Sequence, residues 1–105
     1  MLKEASDRVD EIRSRVEKER ASLSNLNGII SDQYLKQQLK TALNLLDDVE
    51  GFFLPAKILG ESRTAAQWAY WLDGASLPLN HATQLREYVE EIIHKFGADA
   101  RLFPA

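Results

Sequence analysis

The chain has 105 residues, 45% of them hydrophobic and 28% charged, a formal net charge of −3 and no cysteine. That is enough chain for one small domain around one core. The acidic balance argues against a nucleic-acid partner, which needs a basic surface to neutralise phosphates. The lack of cysteine excludes disulfides and thiolate chemistry, and suits a reducing compartment. No stretch approaches the ~20 apolar residues that span a bilayer, so no membrane span is expected. No apolar run follows the first lysine, so no signal peptide is expected either, and the reading places the protein in the cytoplasm.

In the first third of the chain, Leu2, Ala5, Val9, Ile12, Val16, Leu23, Leu26 and Ile30 recur at steps of three and four, with Glu19 occupying one step. This is the seam of a helix with a coiled-coil-like stripe, predicted from about Leu2 to Leu26. The other faces are charged, and Glu4 with Arg8 and Glu11 with Arg15 stand at the favourable i,i+4 spacing. Gly28 is the expected left-handed stop. Ser31 or Asp32 then caps a second helix, whose stripe is Leu35, Leu39, Ala42, Leu46, Val49 and Phe53, widened by Leu43, Leu45 and Phe52. The short link favours an antiparallel hairpin over residues 1–53, with basic residues of the first helix approaching Asp47, Asp48 and Glu50.

Pro55 is expected to end or kink the second helix, because it lacks an amide hydrogen and its ring clashes with the preceding turn. Residues 54–61 therefore read as a proline corner. Two shorter helices are expected over 62–97. One starts at Ser62 or Thr64 and stops at Gly74. After a loop at "ASLPL", Asn80 caps the other, whose apolar face is Leu85, Tyr88, Val89, Ile92 and Phe96. Gly97 closes it, with His94 and Lys95 in its last turn. Residues 98–105 read as an irregular tail. The expected fold is all-α: one four-helix, bundle-like domain built on a long N-terminal hairpin.

The segment "GFFLPAKILG" crowds Phe52, Phe53, Leu54, Ile58 and Leu59 around one proline, as a plug for one end of the bundle, as a partner-docking patch, or as a peripheral membrane contact, for which the one Lys57 supplies little positive charge. "QWAYWLDG" puts Trp68 and Trp71 on one helix face and Tyr70 on another, a pattern of core packing or of an interface. Glu19 in a seam costs stability unless it is paired or near the exposed end: either the seam opens to solvent there or a nearby arginine covers it, the alternative being that it sets register or partner. Arg8, Arg13, Arg15 and Arg20 flank that stripe, which disfavours a parallel homodimeric coiled coil through it.

Catalytic constellations are missing: the serines lack a histidine–acid context, no phosphate-binding glycine loop occurs, and the adjacent acid pairs point about 100° apart on a helix. Glu91 and His94 form a single E-x-x-H pair, half of what a two-metal bundle site would need. The sequence therefore predicts a non-enzymatic helical protein–protein interaction module without cofactor or metal, an adaptor, regulator or assembly factor. It is expected to bind a protein partner or itself, a homodimer being favoured over a monomer. The interaction candidates are Phe52, Phe53, Leu54, Ile58, Trp68, Tyr70 and Trp71. The alternative is a small-ligand- or metal-binding bundle whose pocket Phe52, Phe53, Trp68 and Tyr88 would line, with Glu91 and His94 nearby.

Overall fold

The computed structural model describes residues 3–59 and 65–97, apart from the side chains of residues 5, 52–59, 65 and 68. All three elements among these residues are helices: α1 (Lys3–Ile29), α2 (Gln33–Leu59) and α3 (Ala65–Phe96). They pack side by side into a rod of 55 × 19 × 18 Å. A 32-residue helix is about 48 Å long, so α3 alone accounts for most of the rod.

The core follows from the three-and-four spacing. Val9, Ile12, Val16 and Leu23 on α1 meet Leu35, Leu39, Ala42, Leu46 and Val49 on α2 and Leu72, Ala75, Leu79, Ala82 and Val89 on α3, all buried. Such spacing keeps one stripe of each helix facing inward. Burial of a Leu or Val side chain gains about 1.5–3 kcal/mol, and this continuous stripe is what holds three otherwise polar helices together.

Asp32 caps α2: its side-chain Oδ2 accepts from the Leu35 amide at 2.9 Å and its own carbonyl from Lys36 at 3.0 Å. The carboxylate is also well placed against the positive end of the helix dipole. The tight link through Ile30 and Asp32, both buried, turns α2 back against α1. Gly28 is not the left-handed stop expected of it. It lies inside α1, and the Ile30 amide still donates to Leu26 at 3.2 Å. The one left-handed glycine among the described residues is Gly97, with φ of 86°, whose amide donates to Ile93 at 2.8 Å and closes α3 as expected.

Two expected breaks are absent. α2 runs through Pro55 to Leu59, so the proline corner is not a break in the helix, and α3 runs unbroken through Gly74 and Pro78, so the two shorter helices are one. Asn80 is an interior residue of α3 and caps nothing. The sequence around both prolines supplies a physical reason, because each has a glycine four residues before it: Gly51 before Pro55 and Gly74 before Pro78. A proline's missing hydrogen bond and its ring clash both fall on the carbonyl at that position, where a glycine adds no side chain and lets the backbone adjust. Gly51 is also exposed, with open space around its Cα, so water can reach the carbonyl left without a partner. On α3 the inward spacing Leu72–Ala75–Leu79–Ala82 passes through Gly74 and Pro78 without a change of phase, so core packing favours one helix.

That phase also corrects the predicted face of the last helix. Val89 and Ile92 are buried as expected, but Tyr88 and Phe96 are exposed. Reading the helix from Asn80 alone lost the phase that Leu72 to Ala82 imposes.

Candidate interaction surface

α1 and α3 run parallel in a constant register. Arg8 Nη2 donates to Asp73 Oδ1 at 3.0 Å and Arg15 Nη2 to Asn80 Oδ1 at 3.2 Å. One turn further on, the register places Glu19 against Thr83 and Arg86. The Thr83 hydroxyl donates to Glu19 Oε1 at 3.0 Å, Arg86 Nε to Oε2 at 2.5 Å and Arg86 Nη2 to Oε1 at 3.1 Å. Arg86 also reaches Glu90 Oε1 at 2.9 Å, one turn along its own helix. The Glu19 hydrogen bonds, more than the Glu90 pair, hold the Arg86 guanidinium above its already high ordinary pKa, against the opposing effect of burial.

Arg86 occupies the inward step of α3 between Ala82 and Val89, and Glu19 the inward step of α1 between Val16 and Leu23. The two charged seam positions thus satisfy each other in a bidentate fork. An arginine does cover Glu19, and it comes from α3 rather than from the α1 flank.

α1 meets α2 through the expected electrostatic match, at one arginine. Arg20 Nη2 lies 2.7 Å from Asp47 Oδ1 and 2.9 Å from Glu50 Oε1. The Asp47 hydrogen bond is the largest cause of an upward shift in the Arg20 pKa. A groove of about 410 Å³ opens between the end of α1 and the start of α2, lined by Ser24, Asn27, Lys36, Gln37, Lys40 and Leu43 among others.

The outward face of α3 differs from those of α1 and α2. Successive helical residues are about 100° apart, so Ala66, Tyr70, Leu77 and Gln84 form its outermost line, opposite the buried Ala75, Leu79 and Ala82. Tyr70 is 80% exposed and Leu77 72%. Asp73 and Asn80 border this line on the α1 side, where Arg8 and Arg15 hold them, and Gly74 and His81 border it on the other. From Ala65 to Leu85, Asp73 is the one Asp, Glu, Lys or Arg in the sequence. The outward positions of α1, by contrast, include Lys3, Glu4, Asp7, Asp10, Glu11, Arg13, Glu17 and Lys18.

The remaining candidates separate. Trp71 is half-buried and packs against the core, away from Tyr70. Phe52, Phe53, Leu54, Ile58 and Trp68 carry side chains outside the described residues. The backbone positions of Phe52 and Phe53 lie near the C-terminal end of α2, whereas Tyr88 pairs with Tyr34 at its N-terminal end. About 18 residues of helix, roughly 27 Å, separate the two, so they do not line one pocket. Glu91 pairs with Lys95 at 2.9 Å, which lowers its pKa, and His94 beside it is exposed. Among the described residues no three His, Asp or Glu side chains converge on a metal-sized site, and no helix is long and apolar enough to cross a membrane.

The exposed line through Tyr70 and Leu77 was only half legible. The sequence separates Tyr70 from the tryptophans, but Leu77 falls in a segment that reads as a loop. Its signal was the seven-residue interval from Tyr70 to Leu77 to Gln84, visible only when the helix is taken as continuous. Compared with protein-family models, curated proteins and solved structures, the chain matches no family model and shows no significant similarity to any protein or structure compared.

Proposed function

We propose that this chain is a non-enzymatic helical protein–protein interaction module, an adaptor, regulator or assembly factor, that works by associating with itself through its third helix. The observation that carries this reading is the outward face of α3. Two large side chains, Tyr70 and Leu77, stand out into solvent on a long stretch with almost no charge. Interfaces are depleted in charge at their centres and enriched in tyrosine, and exposed apolar residues in an uncharged setting mark such surfaces.

The acidic balance supports a protein rather than a nucleic-acid partner. The lack of cysteine fits a cytoplasmic setting, and the three-and-four seams fit coiled-coil-like association of the helices. Light scattering over a dilution series tests the reading. A mass that rises reversibly from that of one chain to that of two supports self-association, and the mass of one chain throughout the micromolar range overturns it.

A further inference from the structure

We propose that the groove between the end of α1 and the start of α2 is a binding site for a small hydrophilic dianion, of the phosphate or dicarboxylate class, an inference independent of the self-association reading. It starts from a pair of lysines with no acid beside them. Lys36 and Lys40 stand one helical turn apart on the same face of α2, and both line the groove. Among the described residues neither side chain makes an ion pair or a hydrogen bond.

The surroundings explain why the pair stays open. Residues 21–46 hold a single acid, Asp32, and it is buried at the start of α2, where it accepts from the Leu35 amide. The end of the helix is thus already occupied, and the lysines rather than the α2 dipole carry the positive charge of the groove. Arg20, four residues before Ser24 on α1, is held by Asp47 and Glu50, so those acids are engaged elsewhere. Like charges four apart on a helix repel, and a bound dianion relieves that repulsion where no described side chain does.

The rest of the lining fits the same chemistry. Ser24 and Asn27 of α1, with Gln33 and Gln37 of α2, add one hydroxyl and three amides that no other described side chain engages. These groups can donate to anionic oxygens or bond a ligand's own hydroxyls. Lysine binds phosphate as a point charge on a flexible stem. Leu43 adds one apolar contact for a short carbon skeleton. At about 410 Å³ the groove falls near the small end of the ~300–1,000 Å³ range of ligand pockets, which matches a small molecule better than a length of peptide.

Nuclear magnetic resonance tests the site on the full-length, isotope-labelled chain. Inorganic phosphate, succinate and a hexaglutamate peptide are titrated separately near neutral pH, at an ionic strength held constant with sodium chloride. The expected result is a saturable shift of backbone amides around the groove with phosphate or succinate, half-complete in the millimolar range. Lys36→Gln combined with Lys40→Gln should weaken that binding at least ten-fold. Asn27→Asp keeps both lysines but sets a carboxylate in the groove, and should weaken it as well. Lys18→Gln, an exposed charge on α1 outside the groove, should leave it unchanged. None of these four positions is fully buried, so far-UV circular dichroism is expected to stay at the wild-type value. The absence of any saturable shift with phosphate or succinate overturns the site, as does binding that survives the loss of both lysines. A response to hexaglutamate alone overturns the small-ligand class and assigns the groove to an acidic segment of a partner protein. Each of these failures leaves self-association standing, because that reading is tested by mass.

Discussion

Two arginines in this bundle each hold a pair of carboxylates, and they do so in different surroundings. Arg86 of α3 faces the core side, 19% exposed, and grips Glu19 of α1, 11% exposed, together with Glu90. Arg20, the next residue after Glu19, lies on the flank and grips Asp47 and Glu50 of α2, both more than half exposed. The chemistry is the same and the solvent is not. In water the fork on Asp47 and Glu50 competes with hydration and salt. In the seam, neither partner can return to water without opening the helix pair. The Glu19–Arg86 fork therefore acts as a register lock between two parallel helices, because sliding either helix by one turn buries a charge without its mate.

The most severe way to break the comparison is to remove one half of the lock. Arg86→Met keeps an apolar stem in the seam but leaves the Glu19 carboxylate with only the Thr83 hydroxyl donating to it among these contacts. An uncompensated buried charge costs about 3–5 kcal/mol, which chemical denaturation would read as a large drop in midpoint. The double variant Glu19→Met with Arg86→Met sharpens the point. Replacing both charges by apolar residues should recover most of that loss, since buried ion pairs are commonly neutral or unfavourable against well-packed hydrophobic substitutes. A double variant as unstable as the single one would show that the lock contributes net stability rather than register.

Leu46→Ala provides a purely apolar reference on α2, whose inward positions from Leu35 to Val49 carry no charge. Leu46 is fully buried, and its truncation is expected to cost about 2–5 kcal/mol from lost transfer energy and the cavity left behind. Asp32→Ala comes next. It removes the acceptor of the Leu35 amide at a buried helix start, for an expected loss of about 0.5–2 kcal/mol by the same assay.

These residues also show how far the sequence carried the fold. The α1 and α2 seams, the Asp32 cap, the Gly97 stop and the approach of Arg20 to Asp47 and Glu50 are all local or short-range features, and spacing rules suffice for them. Glu19 stood out as a charge in a seam, yet its partner did not. Arg86 is 67 positions away, on a helix that seemed to begin at Asn80. Pro78 and Gly74 are strong breakers by propensity, and the continuous core stripe overrides them. Once that break was assumed, the phase of the last helix slipped, Tyr88 and Phe96 were turned inward, and the outward line from Tyr70 through Leu77 was cut. One wrong boundary thus hid both the lock and the candidate surface.

The smallest expected effect belongs to Arg20, and it is the other half of the comparison. Arg20→Met removes both contacts to α2, but the acids it leaves are more than half exposed and return to water at little cost. Exposed pairs contribute about 0.2–1 kcal/mol each, so the loss should stay near or below 1 kcal/mol at low salt. Raising the salt to about 1 M shortens the screening length to roughly 3 Å and should erase most of the difference between variant and wild type. The Arg86→Met difference should persist in the same salt, because it arises from desolvation inside the seam, where mobile ions do not reach. If the two differences fell together with salt, the seam would be open to solvent at Glu19. The two arginines would then be equivalent surface clamps, and the register between α1 and α3 would have to come from the apolar layers alone.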